Sequence, residues 1–170
     1  MISCQIEILS QAQLFLKSIS DLEYKYIAKP NFTSSAGSHI RHIIDHYLAI
    51  QDGIECGLID YDNRHRGHEI EQQPSKALKY LNSITKWLNT LSENDLKQTV
   101  ELSTEISISN QERIKLPTNI ARELVFAASH AIHHYAILAQ IARAQALPLP
   151  ANFGIAPATA TFLRQQQLEK

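Results

Sequence analysis

Histidines are the residues of this 170-residue chain whose type and spacing indicate a chemical role, because six of its eight histidines fall into two short windows. The two windows contain His39, His42, His46, His130, His133 and His134. Both lie in segments with helical periodicity, where residues three or four apart are surface neighbours, roughly 5–6 Å between Cβ atoms. Clustered imidazoles of this kind serve either as metal ligands or as hydrogen-bonded groups in a core.

The second window contains an H-x-x-x-H pair. His130 and His134 share one face of a strongly apolar predicted helix with Ile137 and Ile141. Burying unpaired imidazole nitrogens is costly, so such a pair needs partners, and a metal ion is one. Imidazole nitrogens bind Zn²⁺ at about 2.0–2.1 Å, and this pair plus one ligand from a facing helix gives a three-histidine site. Three protein ligands leave a position for water or substrate, as in catalytic sites.

The other histidines leave alternatives open. Any one of the three in the first window can instead hydrogen-bond in the core or titrate at the surface. His133 points away from the pair and is expected at the surface or beside a ligand, and His65 and His68 lie in a polar loop and are given no role. The pair is not a zincin motif, because the glutamate of H-E-x-x-H is missing.

Composition favours a globular protein in a reducing compartment. Hydrophobic residues make up 44% and charged residues 19% of the chain, and the formal net charge is -1, which does not favour a nucleic-acid partner. Two cysteines, Cys4 and Cys56, cannot make a disulfide framework. The N-terminus has no basic lead-in, and no apolar run approaches the roughly 18 residues that span a bilayer. We expect a cytoplasmic protein with a small-molecule substrate and no membrane partner.

Apolar residues spaced by three and four predict four helices. The first carries a continuous apolar stripe from Ile8 and is ended by Pro30. The second holds the first histidine window, begins at Ser34 or Ser35 as a cap, and stops near Gly57.

The second half of the chain contains two further helices and a change of period. Pro74 suits the first turn of the third helix. Over residues 99–117 apolar and polar residues alternate, which predicts a peripheral β-hairpin. Thr118 can cap a central fourth helix that runs to about Ala146, and the tail shows no clear structure.

These elements predict an all-α fold, a four-helix bundle with a small β-hairpin inserted before the last helix. We expect residues 1–170 to form a single domain, with residues 147–170 as a tail packed on the bundle or extending from it. Whether the chain forms a homodimer is left open.

Three segments resemble the DinB-like (YfiT-like) superfamily of metalloenzymes, namely SAGSHIRHIIDHYLAI, ARELVFAASHAIHHYAILAQIAR and FGIAPAT. The order of the helices and the hairpin before the last helix extend the resemblance to nearly the whole chain. It implies an up-down-down-up four-helix bundle. It also implies a divalent metal, often nickel or zinc, held by one histidine of the second helix and the H-x-x-x-H pair of the last.

The resemblance also assigns ligands. The H-x-x-x-H pair corresponds to His130 and His134. The family places the remaining ligand about seven residues after the capping residue of the second helix, which from Ser35 gives His42. Counting from a later serine gives His46 as the alternative third ligand.

The activity implied is that of a divalent-metal-dependent enzyme with an open coordination position. Relatives include thiol S-transferases acting with bacillithiol or mycothiol, a mycothiol-dependent maleylpyruvate isomerase and the metal-binding domain of a sulfoxide synthase. We predict an S-transferase or hydrolase, with a low-molecular-weight thiol as the candidate cosubstrate. The alternative is a non-catalytic metal-binding or stress-induced bundle that binds a small molecule or a partner. A DNA repair factor ranks last, because the sequence has no basic patch.

Four polar residues are expected around the mouth of such a site, and they are His46, Asp45, Arg41 and Tyr135. Each has a purely structural alternative. Asp45 can orient a ligand histidine, Tyr135 can pack in the core, and Arg41 can be solvated.

Overall fold

The computed structural model describes residues 1–63 and 69–168, so His65 and His68 lie outside the described residues. Within these ranges the chain forms seven α-helices and three β-strands. The helices are α1 (Ile2–Lys17), α2 (Asp21–Lys25), α3 (Ala36–Cys56), α4 (Pro74–Leu88), α5 (Glu93–Lys97), α6 (Ile120–Ala144) and α7 (Pro157–Leu168). The strands are β1 (Leu58–Asp60), β2 (Thr99–Glu105) and β3 (Arg113–Asn119), and Glu69–Glu71 forms a 3₁₀ turn.

Helices α1, α3, α4 and α6 pack around one apolar core. In this bundle α3 contacts α4 and α6, and α1 contacts the same two helices from the other side. Their inward faces follow the predicted spacing, and the buried residues of α4 are Pro74, Ala77, Leu81, Ile84 and Leu88. The predicted four-helix bundle is confirmed.

Side-chain contacts show that α3 and α6 run antiparallel. His42 of α3 contacts His130 of α6, whereas His39, one turn earlier in α3, contacts His134, one turn later in α6. The two histidine windows therefore meet turn by turn along the same helix interface.

The other bundle helices complete an up-down-down-up order. The start of α1 lies beside Val125 in α6, and its end reaches Tyr135 through Phe153, so α1 and α6 are parallel. The 3₁₀ turn contacts the first turn of α3 at Gly37, and α4 follows it directly, so α3 and α4 run the same way. Only glycine permits this approach, because a Cβ at position 37 would overlap the carbonyl of Glu71.

The helix that carries the first histidine window begins and ends as predicted. The Ser35 hydroxyl caps it by accepting a hydrogen bond from the Ser38 N–H at 3.2 Å. Gly57 ends it in the left-handed conformation, with φ of 77°. These two ends give a helix of 21 residues that contains all three histidines of the first window.

The predicted hairpin is confirmed, with Leu102 of β2 opposite Leu116 of β3 in an antiparallel pair. The sequence did not predict β1, which pairs in parallel with β2 through Ile59. A three-residue strand is too short to show a period. Ile59 is buried against Gly53 of α3, where any larger residue would clash.

The first predicted helix is interrupted, which corrects the expectation of one helix up to Pro30. Helix α1 ends at Lys17, and α2 follows a capping box in which the Ser20 hydroxyl accepts from the Glu23 N–H. In return the Glu23 carboxylate accepts from the Ser20 N–H at 2.8 Å. This local cap starts a new helix and leaves Leu22 exposed.

Two expectations for the last part of the chain are also wrong. Asn119 rather than Thr118 caps α6, since its side chain accepts from the Arg122 N–H at 2.9 Å. Thr118 belongs to β3 and points its hydroxyl at Glu123. The tail is helical over Pro157–Leu168, although no residue of this helix is buried.

Among the described helices, α6 is long and apolar enough to cross a membrane by length and composition. The central helix of a helical bundle can have the same length and apolar composition. One face of α6 is buried inside the protein, including Leu124, Ala131 and Leu138.

Candidate metal centre

Helices α3 and α6 bring five histidines together on their facing sides, and we call these the histidine cluster. Its members are His39, His42, His46, His130 and His134. His133 remains exposed on α6. The structure therefore places all the predicted ligands, and the alternative third ligand, at one helix interface.

The Nε2 atom of His130 lies close to two other Nε2 atoms at the centre of the cluster. His42 Nε2 lies 2.9 Å from His130 Nε2, and His134 Nε2 lies 3.1 Å from the same atom. His46 is next to them, with its ring centroid 4.4 Å from that of His130. Ligand nitrogens of His42, His46 and His130 all lie within 4.8 Å of one another. Both candidates for the third ligand, His42 and His46, thus lie beside His130.

The donor chemistry of the cluster fits a divalent metal. A neutral imidazole nitrogen either carries one hydrogen or offers one lone pair. His130 Nε2 faces the Nε2 atoms of His42 and His134, and imidazole nitrogens are donors that suit Zn²⁺ and Ni²⁺. Metal–nitrogen bonds of about 2.0–2.1 Å put ligand nitrogens roughly 3–3.4 Å apart. The separations of 2.9 and 3.1 Å are close to that range.

The tautomer of His46 is determined by its own helix. Its Nδ1 lies 2.9 Å from the carbonyl oxygen of His42, and a carbonyl only accepts. Nδ1 of His46 therefore carries the hydrogen, and Nε2 carries the lone pair that a metal requires.

His134 and His39 form a second contact away from the centre, with their Nδ1 atoms 2.8 Å apart. His39 Nε2 lies 2.8 Å from the hydroxyl oxygen of Ser34. Burial and then the neighbouring His130 imidazole lower the pKa of His134 to about 3. Burial also lowers the pKa of His39. His134 is therefore neutral at neutral pH, as metal ligation requires.

Aromatic rings from the segment after β1 and from α6 pack against the cluster. The Tyr61 ring stacks on His46 at a centroid distance of 4.7 Å, and Phe126 stacks on His130 at 5.7 Å. Sequence analysis missed both, together with Glu123, which accepts a hydrogen bond from the Tyr61 hydroxyl at 2.7 Å. Phe126 and Glu123 lie four and seven residues before His130, a spacing that puts them on its face of the helix. No periodic signal marks Tyr61.

Glu123 is a fully buried carboxylate. It accepts hydrogen bonds from three donors, the hydroxyls of Tyr61 at 2.7 Å and Thr118 at 2.6 Å and the guanidinium of Arg122 at 2.7 Å. Burial raises the pKa of Tyr61, and its hydrogen bond to Glu123 raises it further, so the phenol stays neutral and donates. The network joins β3 and the segment after β1 to the first turn of α6.

The residues expected around the mouth do not all lie there. Arg41 is buried rather than solvated, and it donates hydrogen bonds to Asp45 and Glu71, each at 2.9 Å. Tyr135 packs in the core, where its ring stacks on Phe153 at 5.2 Å. Among the described residues its hydroxyl has no hydrogen-bond partner.

A helical bundle with a histidine cluster between two antiparallel helices defines a class of candidate metalloproteins. Comparison with known families assigns the chain more closely. The model of the DinB family matches residues 9–151, which include all five members of the histidine cluster. The chain belongs to the DinB family, as the resemblance in its sequence indicated.

Solved structures with similar folds include two DinB-like proteins. One, from Bacillus subtilis, has a TM-score of 0.65 and 21% sequence identity, and the match covers 89% of this chain and 96% of that one. Another, from Bacillus cereus, has a TM-score of 0.60 and 14% identity, covering 85% and 89%. YfiT from Bacillus subtilis has a TM-score of 0.55 and 15% identity, covering 86% and 89%. YfiT is described as a probable metal-dependent hydrolase with an unusual four-helix bundle topology.

A curated relative is FK506-binding protein 5 from Rhizopus delemar, which is 30% identical over 109 residues. The match covers 64% of this chain and 28% of that protein. The chain therefore spans little more than a quarter of the length of this relative.

Proposed function

We propose that this protein is a divalent-metal-dependent hydrolase whose metal ion is held by His42, His130 and His134. The observation that carries the proposal is that His42 Nε2 and His134 Nε2 lie 2.9 and 3.1 Å from His130 Nε2, between two helices. The fold similarity to YfiT, described as a probable metal-dependent hydrolase, supports it. The three ligands are those that the family resemblance assigns.

A divalent ion bound there would lower the pKa of a coordinated water or thiol and so supply a nucleophile near neutral pH. Three neutral imidazoles do not cancel the charge of the ion, which favours this effect. Imidazole ligands suit both zinc and nickel, and we propose one of these two metals. The Phe126 ring stacks on the ligand His130, and the Tyr61 ring stacks on the neighbouring His46.

A thiol S-transferase is a second candidate for the same site. Both cysteines, Cys4 and Cys56, are exposed. Cys4 lies in α1, and Cys56 at the last turn of α3 donates its S–H to the Leu58 carbonyl. Neither belongs to the histidine cluster, so an attacking thiol would have to arrive as a small cosubstrate.

A non-catalytic metal-binding bundle is favoured by one observation, the proximity of His46. Its Nε2 carries a lone pair beside His130, and four imidazoles from two helices could close the coordination shell. We propose instead that the coordination shell keeps an open position. We also propose that the substrate is a small molecule rather than a nucleic acid or a membrane, and that the protein works in the cytoplasm.

The test begins with untagged protein, freed of metal and reloaded with Co²⁺. We expect one ion per chain and a visible spectrum that changes when a small thiol or azide is added, because an open position accepts an external ligand. His130→Ala should abolish binding, whereas His133→Ala, a change at an exposed histidine three residues away, should not. A spectrum unaffected by every added ligand would favour the non-catalytic bundle.

Activity is tested separately with the zinc-loaded and nickel-loaded protein on a panel of activated esters and amides and of small-thiol acceptors. Hydrolysis that requires the metal and is lost in His130→Ala supports the hydrolase. Turnover only in the presence of a thiol would instead favour the S-transferase.

A further inference from the structure

His39 is the member of the histidine cluster that the proposed ligand set does not use. It lies in the first turn of α3, half-buried, between the Ser34 hydroxyl and the ring of His134. Both of its nitrogens have a polar neighbour at 2.8 Å. An imidazole held at both ends in this way can determine the tautomer of the ring it contacts.

We propose that His39 and Ser34 form a hydrogen-bond chain that holds His134 in the tautomer whose Nε2 faces the metal. This positioning role rests on the proposed function, because it requires His134 to be a ligand. It assigns His39 to the support of the site rather than to coordination.

Hydrogen counting gives one consistent arrangement. A neutral His134 that coordinates through Nε2 carries its single hydrogen on Nδ1, and the atom it can donate to is His39 Nδ1. His39 Nδ1 must then be unprotonated, so its own hydrogen lies on Nε2 and is donated to the Ser34 hydroxyl oxygen. Every N–H in the chain finds an acceptor in this arrangement.

The reverse arrangement would exclude the metal. If His39 Nδ1 donated to His134 Nδ1, the hydrogen of His134 would lie on Nε2, directed at the shared centre. A ligand histidine that donates its other N–H to a fixed acceptor is held in place by that contact, and loss of such partners lowers metal affinity about 10–100-fold.

His46 shows the same principle through a different partner. Its Nδ1 donates to the His42 carbonyl of its own helix. His134 finds its acceptor across the helix interface instead, on the side chain of His39. A single substitution at position 39 can therefore remove the acceptor of His134. No side-chain substitution removes the backbone carbonyl that accepts from His46.

The experiment measures Co²⁺ affinity by chelator competition in the 170-residue chain and in four variants. His39→Leu removes the acceptor and keeps an apolar side chain, His39→Asn keeps an acceptor at the δ position, and Ser34→Ala removes the outer partner. His133→Leu is the matched control, because this exposed histidine on α6 is next in sequence to His134. Thermal unfolding of the metal-free forms shows whether each variant folds.

We expect His39→Leu to bind Co²⁺ about 10–100-fold more weakly than the wild type. His39→Asn should recover most of that loss, and Ser34→Ala should have a smaller effect. In the Co²⁺-loaded wild type, a paramagnetically shifted exchangeable N–H resonance from His134 should be visible and should disappear in His39→Leu.

Wild-type affinity in folded His39→Leu would overturn the proposal, and so would an Asn variant as weak as the Leu variant, because the ring would then act only by packing. If His39→Leu removes the visible spectrum altogether, His39 is itself a ligand and the positioning role is wrong. Failure of the wild type to bind Co²⁺ would refute the proposed function as well. Wild-type binding with no effect of the His39 variants would refute only the positioning role.

Discussion

At the scale of the residue, the two nitrogens of each imidazole limit what the histidine cluster can bind. His134 has Nδ1 against His39 and Nε2 against His130, so only its Nε2 can reach the shared centre. His46 has Nδ1 committed to a backbone carbonyl, and its Nε2 also carries a lone pair. Nε2 of His46, the alternative third ligand, is therefore oriented toward the centre as Nε2 of His134 is.

We predict that His134→Ala removes most of the bound metal and leaves a folded, helical protein. The apolar faces that form the bundle do not include this half-buried ring. Elemental analysis of untagged protein gives the metal content, and circular dichroism gives the helix content.

His42→Ala should also lose the metal, and His46→Ala should keep it, with His133→Ala as the control for surface histidines. Full metal occupancy in His134→Ala would place the site elsewhere. Loss of metal in His46→Ala with retention in His42→Ala would show that the assignment of the third ligand is wrong.

We predict that Glu123→Met lowers the free energy of unfolding by about 3 kcal/mol, because it removes the acceptor of the buried Tyr61 hydroxyl and of the half-buried Thr118 hydroxyl. Arg122→Met should cost less than about 1 kcal/mol, since the Arg122 side chain is 59% exposed. Urea denaturation measures both. Equal losses in the two variants would contradict the view that the neutral hydroxyl donors dominate this network.

At the scale of the element, the site depends on α3 and α6, and α7 contributes no buried residue. The chain between α6 and α7 is attached by Phe153, which is buried and stacks on Phe15 at 5.4 Å and on Tyr135 at 5.2 Å. Gly154 follows with φ of 74°, and a Cβ there would lie 2.7 Å from the backbone of α6. The tail is held by this short segment.

We predict that Phe153→Ala lowers the free energy of unfolding by about 3–5 kcal/mol, the usual cost of deleting a buried aromatic ring. A chain ended after Ala156, which lacks α7, should lose less than about 1 kcal/mol, because surface changes have small effects. Urea denaturation of the two variants makes the comparison. A larger loss on truncation than in Phe153→Ala would show that α7 stabilises the bundle.

At the scale of the whole molecule, the bundle and the metal site draw on different interactions. The core contains fully buried residues from each of the four bundle helices, including Leu9, Ile44, Leu81 and Leu138. None of these depends on a metal ion. The histidine cluster lies at one helix interface, outside this apolar core. It adds contacts between α3 and α6.

We predict that metal stabilises the fold without being required for it. A ligand that binds only the folded state adds roughly 2.7 kcal/mol at a hundredfold excess over its Kd. The melting temperature should therefore rise with added Zn²⁺ or Ni²⁺ in the wild type and stay constant in His130→Ala. An unfolded circular dichroism spectrum in the chelated protein would contradict this.

The sequence by itself determined the four-helix bundle, the hairpin and the two histidine windows from which the cluster is drawn. These features follow from local rules, since spacings of three and four put residues on one helix face and alternation puts them on one strand face. Gly57 and Ser35 could be assigned as helix ends for the same reason. The interruption at Ser20 was missed because a continuous apolar stripe concealed a local capping box.

Only the tertiary structure decided which groups meet across the two helices. The antiparallel register of α3 and α6 places His39 against His134 and His42 against His130, and no local pattern encodes that register. It also brought Tyr61 to the site from a segment without a periodic signal and paired its hydroxyl with the buried Glu123 of α6. The contacts that support the histidines join residues distant in sequence, so they exist only once the bundle has packed.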